Sequence, residues 1–189
     1  MTTWIVLAIV VAVVGYAVVL FNRLVKSRQM AAEGWSGIDV QLKRRADLVP
    51  NLVSTVKGYA AHERQTLEQA TELRAAATNI PRDDVAARAE AEGKLSAAIG
   101  KLIALAEAYP DLKASDNFLD LQKQLAAIED EIQMARRYYN GAARNLNVLV
   151  QSFPSNLIAG TFGFHPRDFF EIDAADRAVP EVAFKGATP

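Results

Sequence analysis

Apolar residues follow two different patterns along this chain of 189 residues. Residues 4–21 contain no charged side chain, and the basic residues Arg23, Lys26 and Arg28 come directly after them. At a rise of 1.5 Å per residue, a helix of that length covers about 27 Å, which is close to the hydrocarbon thickness of a bilayer. After residue 28, apolar residues recur at helical spacing between polar ones. The pattern therefore predicts one membrane-spanning helix followed by a helical body that faces water.

Two other interpretations of the first segment are open. A cleaved signal peptide has positive charge before its apolar run and small residues at its cleavage site, whereas residues 21–24 read Phe-Asn-Arg-Leu. The segment could also be a core helix, but residues 5–14 are apolar on every helical face, which favours a membrane span in a protein of this size. We therefore expect residues 1–22 to remain in the protein as a transmembrane anchor.

The charges that flank the anchor predict its orientation. Basic residues beside a span tend to stay in the cytoplasm, and here the flanking lysines and arginines follow the span. We therefore expect a single-pass protein with a short N-terminus outside and a cytoplasmic C-terminal domain. Arg23, Lys26 and Arg28 would then lie at headgroup level, where they are candidate contacts for anionic membrane lipid.

Prolines divide the body into segments with helical periodicity, at positions 50, 81, 110 and 154. A first helix continues out of the span without interruption. Pro50 suits the first turn of a second helix over about residues 50–78, but it could instead kink the first helix, and the sequence leaves both open. A third helix is predicted over about residues 83–109.

The fourth helix has the clearest pattern. From Phe118 to Phe153 its apolar residues are spaced alternately three and four positions apart, which is a sustained heptad seam typical of a coiled coil or bundle helix. Such a helix of about 36 residues is about 54 Å long, and Ser115 or Asp116 can cap its start. We therefore predict an all-α fold: a transmembrane helix followed by an antiparallel bundle of three to four long helices over residues 23–153.

Glycines interrupt these predicted helices at positions 34, 37, 58, 93 and 100. Each costs about 1 kcal/mol relative to alanine inside a helix. Glycines can be tolerated there without a role, but the many alanines on the same faces favour close approach of helix axes.

Residues 154–189 do not continue the helical pattern. Their first part is rich in turn formers and aromatic residues, including Phe162, Phe164 and Phe170, and the end is rich in Ala, Asp, Pro and Gly. We expect an irregular tail whose aromatic residues fold back over the open end of the bundle, because a long exposed aromatic segment favours aggregation. The last residues are expected to be disordered.

Composition narrows the possible functions. The formal net charge is −1, so nothing in the charge balance favours nucleic acid or another polyanion as a partner. The chain has no cysteine, which excludes disulfides, thiolate catalysis and lipid attachment through cysteine.

Three blocks of sequence carry a resemblance to a known family. Residues 41–53 read Gln-Leu-Lys-Arg-Arg-Ala-Asp-Leu-Val-Pro-Asn-Leu-Val, residues 137–140 read Arg-Tyr-Tyr-Asn, and residues 153–159 read Phe-Pro-Ser-Asn-Leu-Ile-Ala. Together they resemble the LemA family over essentially the whole soluble part. The resemblance implies an N-terminal membrane helix, a helical bundle and residence in the bacterial inner membrane. It implies no settled enzymatic activity and supplies no catalytic residues. It also implies genomic proximity to membrane proteases in some genomes.

A basic cluster at Lys43, Arg44 and Arg45 is the main candidate for a partner or subunit contact. On a straight helix it lies about 33 Å beyond residue 21, several Debye lengths from the lipid. The alternative is a set of intramolecular ion pairs and a solvated face.

No pattern of residues predicts catalysis, a cofactor or a metal site. His62-Glu63 lacks the second histidine of a zinc protease motif, because residue 66 is threonine. The carboxylates at 129–131 lack the Glu-x-x-His pairs of a di-metal bundle and are expected to be solvated. We therefore expect neither an enzyme nor a binder of nucleic acid or a small-molecule substrate.

Two functions fit these features. The first is a membrane-anchored scaffold that assembles as a homo-oligomer through helix packing. The second is an adaptor or regulator of a membrane protease or another inner-membrane complex, with a membrane protein as its partner.

Overall fold

The computed structural model describes residues 1–171 of the chain. Over this range the chain forms helices and no strand, which confirms the predicted all-α fold. The helices are α1 (Thr2–Lys57), α2 (Arg64–Thr78), α3 (Val85–Glu107), α4 (Pro110–Lys113), α5 (Asp116–Gln151) and α6 (Ser155–Thr161). The predictions made for residues 172–189 lie outside the described residues.

Helix α1 contains 56 residues, so it is about 84 Å long. Its first part is long and apolar enough to cross a membrane, and almost none of that part is buried against the protein. This part of α1 is therefore a candidate membrane anchor. The remaining part of α1 forms the centre of the bundle without a break between the two.

Pro50 neither begins nor ends a helix, because α1 continues through it to Lys57. A proline has no N–H, so the carbonyl oxygen of Ala46 loses its usual helical donor. The Nε of Arg74 on α2 lies 2.6 Å from that oxygen and supplies a hydrogen bond instead. The predicted helix over residues 50–78 is therefore wrong in its bounds: the chain turns after Lys57 and α2 begins at Arg64.

Helices α1 and α5 pack against each other along most of the length of α5. α2 and α3 form a hairpin that packs on the part of α1 farther from the candidate anchor. α3 and α5 both lie beside α1, and their backbones stay apart although side chains from both helices share the hydrophobic core. The bundle thus has an antiparallel pair, α1–α5, with the α2–α3 hairpin at one end and the tail at the other.

The heptad seam of α5 is buried against α1 of the same chain. Residues from Phe118 to Leu146 along the seam are buried, with Ala135 partly exposed, whereas Phe153, its last predicted member, is 80% exposed. Ser115 lies at the N-cap position, although its side chain makes no capping hydrogen bond.

One glycine lies at a close contact between these helices. A Cβ added to Gly34 would lie 3.0 Å from the Cα of Tyr139 and 3.0 Å from the ring of Tyr138. Glycine thus allows the close approach of α1 and α5 there. Gly37 and Gly100 border open space instead, so the predicted close approach does not apply to them within this chain.

The sequence suggested a tail that covers the open end of the bundle. The tail instead follows the side of the bundle. After α6 it runs as an extended segment over the α1–α5 pair, with Phe164 buried near Leu24 and Phe170 buried beside Trp35. Each of Asn140 and Asn147 on α5 bonds both backbone groups of one tail residue.

The spacing of these contacts explains why the tail lies along α5. Asn140 and Asn147 are seven residues apart, or about 10 Å on a helix, and their backbone partners Phe170 and Arg167 are three residues apart, or about 10 Å in an extended chain. The two distances match, so both asparagines can bond the tail backbone at the same time.

Candidate interaction surfaces and a buried ion network

Arg45 is a buried side chain at the meeting point of three helices. It is 2% exposed, and its guanidinium bonds Glu92 and Ser96 on α3 and Glu129 on α5. Its Nη2 lies 2.8 Å from Glu92 Oε2, and its Nη1 lies 2.8 Å from Glu129 Oε2. Since Arg45 belongs to α1, this one side chain joins α1, α3 and α5.

The network extends along α3 toward its N-terminus. Arg88 Nε bonds the second oxygen of Glu92 at 2.9 Å, and Arg88 Nη2 lies 3.7 Å from Asp39 on α1. Arg82, in the loop before α3, pairs with the other oxygen of Asp39 at 3.3 Å. Three arginines therefore alternate with three carboxylates, and the charges balance.

Glu92 is a buried carboxylate that pairs with two arginines. Its side chain is fully buried, and an unpaired carboxylate there would cost several kcal/mol. Arg45 and Arg88 each bond one of its oxygens, so the charge is paired on both sides. We infer a role in fixing the relative positions of the helices, because buried ion pairs are weak evidence for net stabilisation.

The predicted basic cluster is divided between the interior and the surface. Arg45 is buried, whereas Lys43 and Arg44 are exposed, and Arg44 Nη1 bonds the Gln41 side chain at 3.1 Å. Each residue advances about 100° around a helix, so Lys43 lies on nearly the opposite side of α1 from Arg45. Lys43 and Arg44 stay candidate partner contacts, and Arg45 has the alternative role in intramolecular ion pairs.

A groove of about 430 Å³ lies between α3 and α5, with Arg45 among the residues that line it. Its apolar lining includes Ile99, Ile103 and Leu125, and small exposed residues, Gly100 and Ala126, lie at its rim. The Nε of Arg45 is buried without a hydrogen-bond partner among the described residues. The groove lies where the backbones of α3 and α5 stay apart.

The basic residues after the candidate anchor are exposed. Arg23 and Lys26 lie within one turn of helix α1 from each other, and Arg28 follows. The guanidinium carbon of Arg28 lies 4.9 Å from the centre of the Phe164 ring, so this cation also contacts the tail. All three remain candidates for contact with lipid headgroups.

No group of three or more potential metal ligands occurs in residues 1–171. His62 and His165 are both exposed, and they lie in different parts of the fold. Of the acidic run that begins at Glu129, that first residue belongs to the ion network, whereas Asp130 and Glu131 are exposed. On the outer side of α3, Lys94 Nζ lies 2.6 Å from Glu90, and this hydrogen bond and the lysine charge lower the pKa of Glu90.

Sequence reasoning missed the residues that hold the tail. The buried Tyr139 donates a hydrogen bond from its hydroxyl to the carbonyl oxygen of Asp168 at 2.7 Å. Burial raises the pKa of Tyr139, while the charge of Arg167 opposes the rise and that of Asp168 adds to it. The available signal was the Tyr-Tyr-Asn run together with Asn147, one heptad after Asn140.

Comparison with known proteins places these features in a family. The model of the LemA family matches residues 34–184, which is most of the chain. The chain belongs to the LemA family. The match begins at Gly34, where α1 contacts α5 closely, and it includes the groove, the ion network and the asparagine contacts to the tail.

Relatives of this LemA family chain come from several bacteria. Protein LemA of Metamycoplasma hominis is 28% identical over 156 residues, covering 82% of this chain and 71% of that protein. Magnetosome protein MamQ 2 of Paramagnetospirillum magneticum is 24% identical, and the match covers 86% of this chain and 68% of that protein. Magnetosome protein MamQ of Magnetospirillum gryphiswaldense is 25% identical, and the match covers 79% of this chain and 64% of that protein. None of these names denotes an enzyme.

Proposed function

We propose that this LemA family member is a non-catalytic scaffold of the bacterial inner membrane that assembles with copies of itself. The observation that carries the proposal is the continuity of α1, which holds the candidate anchor at one end and Arg45 beside the groove near the other. Arg45 lies 24 residues beyond Phe21, so a straight α1 holds the groove about 36 Å from the lipid. A groove at a fixed height suits side-by-side assembly of anchored chains.

The α3–α5 groove is the proposed contact with a second copy. Its apolar floor favours a helix as occupant, and the small residues Gly100 and Ala126 at the rim allow the backbone of that helix to come close. A Cβ on Gly100 would meet nothing within 4 Å in this chain, so the space beside it is available to another molecule.

Membrane residence and orientation are parts of the same proposal. The anchor's apolar length supports residence in the inner membrane, and the basic residues after it support a cytoplasmic bundle with the N-terminus outside. The relatives named magnetosome proteins support an association with a membrane rather than catalysis.

The test is the mass of the complex extracted from membranes with a gentle detergent, with its subunits identified. We expect several copies of this chain, and Gly100→Arg should reduce the complex to smaller species by filling the groove. Replacement of an exposed helical glycine gains up to about 1 kcal/mol of helix propensity, so the variant should fold. Gly37→Arg is the matched control, because Gly37 also lies inside a helix and borders open space.

Two results would contradict the proposal. Wild-type protein that is monomeric at every concentration would rule out self-assembly. Equal masses for wild type, Gly100→Arg and Gly37→Arg would show that the groove is not the contact.

A second candidate function is an adaptor for another inner-membrane protein. It is favoured by Lys43 and Arg44, which are exposed next to each other on α1. Reversing both to glutamate should release a partner trapped by crosslinking in cells and leave the fold intact. Arg45 is kept in this experiment, because its reversal would place a third carboxylate beside Glu92 and Glu129. Retention of the partner by the double variant would argue against this surface.

A further inference from the structure

The turn that joins α5 to α6, together with α6 and the residue after it, exposes large apolar side chains. Phe153 is 80% exposed, Leu157 is 59% exposed and Phe162 is 58% exposed. These residues, here named the apolar turn, lie within residues 145–164, a stretch without any Asp, Glu, Lys or Arg. Large apolar side chains exposed so close together in the sequence indicate a candidate interaction site.

The register of α1 and α5 places the apolar turn at the height of the lipid. The close contact of Gly34 with Tyr139 aligns those two residues. From there Phe21 is 13 residues back along α1, about 20 Å, and Gln151 is 12 residues forward along the antiparallel α5, about 18 Å. Helix α5 therefore ends level with the last residue of the uncharged segment, and the apolar turn begins there.

Direct contacts confirm this height. The Phe162 ring centre lies 4.9 Å from that of Phe21, and the Phe164 ring centre lies 5.8 Å from it. Leu20 is only 5% exposed, although the preceding apolar residues of α1 are largely exposed. The protein thus covers one side of α1 at the boundary of the candidate anchor.

We propose that the apolar turn inserts into the same membrane leaflet from which α1 emerges, as a second attachment beside the anchor. This inference rests on the proposed membrane residence. The occupant is the boundary between lipid headgroups and acyl chains, where short apolar elements lie about 5–10 Å deep. Burying Phe153, Leu157 and Phe162 in lipid removes their apolar surface from water. Arg23, Lys26 and Arg28 then lie just above, among the anionic headgroups.

Polar groups in this segment are compatible with such an environment. The Ser155 hydroxyl bonds the carbonyl oxygen of Ser152 at 2.9 Å, and the Thr161 hydroxyl bonds that of Leu157 at 2.9 Å. The backbone of α6 is helical. These two hydroxyl groups therefore have partners within the chain, which lowers the cost of moving them out of water.

The experiment measures lipid contact at single labelled sites in the full chain. The chain has no cysteine, so Leu157→Cys can be labelled alone with a fluorophore after reconstitution into nanodiscs. Leu119→Cys is the matched control, because Leu119 is an exposed leucine near the opposite end of α5. Val10→Cys reports on the anchor itself. Each site is tested with a lipid-attached quencher and with iodide in the water.

We expect the lipid-attached quencher to remove most of the fluorescence at Leu157 and Val10 but little at Leu119. Iodide should instead remove most of the fluorescence at Leu119 and little at Leu157 and Val10. Leu157 quenched by iodide would show that the apolar turn faces water and would overturn the inference. Leu157 protected from both quenchers would show that a protein, such as a second copy, covers it, which also overturns the inference. If Val10 is not quenched by lipid, the anchor itself is wrong.

Discussion

At the scale of single residues, neighbours in sequence have opposite roles. Lys43, Arg44 and Arg45 form one cluster in the sequence, but the helical rotation of about 100° per residue turns only Arg45 toward α3 and α5. That rotation could be worked out from the sequence. The partner could not, because Glu92 lies on another helix and its proximity depends on the packing of the α2–α3 hairpin.

Removal of Arg45 should destabilise the bundle strongly. We expect Arg45→Met to lower the free energy of unfolding by about 3 kcal/mol, because Glu92 stays buried with one of its two cationic partners gone. Thermal unfolding followed by circular dichroism in detergent measures the change. Lys43→Met is the control and should stay within about 0.5 kcal/mol of wild type, since Lys43 is exposed. Equal effects of the two substitutions would contradict the role of the network.

Tyr139 should make the stability of the protein sensitive to alkaline pH. Because burial raises its pKa in the folded state, folding favours the protonated phenol. Its contribution is therefore complete below the unfolded pKa of about 10 and is lost as the pH rises through the higher folded pKa. Melting temperatures between neutral and strongly alkaline pH should fall more steeply for wild type than for Tyr139→Phe.

The same substitution should cost about 1 kcal/mol at neutral pH, because the hydrogen bond to Asp168 is lost. Tyr138→Phe serves as the control, since Tyr138 is 46% exposed, and it should keep the alkaline profile of wild type. A profile for Tyr139→Phe as steep as that of wild type would contradict the assignment.

At the scale of elements, long periodic segments were the most predictable. The heptad spacing predicted α5 closely, and the structure places it at Asp116–Gln151. At Pro50 the sequence left a helix break and a kink both open. Helix α1 continues there, and Arg74 on another helix bonds the carbonyl that the proline leaves free. Such a tertiary contact cannot be found from local propensity, so the end of α1 at Lys57 could not be predicted.

The interaction of Arg74 with the backbone near Pro50 can be tested by a double-mutant cycle. Arg74→Met should cost about 1–2 kcal/mol, because the carbonyl of Ala46 is left without its donor. In a Pro50→Ala background a backbone N–H becomes available to that carbonyl, so the cost of Arg74→Met should shrink. Unfolding midpoints of the four proteins give the coupling. Additive effects would show that Arg74 does not compensate for the proline.

At the scale of the whole molecule, one helix combines a candidate membrane anchor with the centre of the bundle. The long apolar helix at the start and the helical body could both be predicted, because each has its own hydrophobic pattern. The path of the tail could not be predicted, since Asn140 and Asn147 bond its backbone, which gives no signal in the sequence of the tail. The α3–α5 groove could not be predicted either, because it depends on how the helices are arranged in the bundle.

The most direct test of this account is the fate of the apolar start of α1 in cells. Membranes are washed with alkaline carbonate, and the intact mass of the protein is measured in the pellet and in the soluble fraction. We predict the untrimmed chain in the membrane pellet, because residues 4–21 remain in the bilayer. Untrimmed protein in the soluble fraction, or a chain shortened by its first twenty or so residues, would contradict the account.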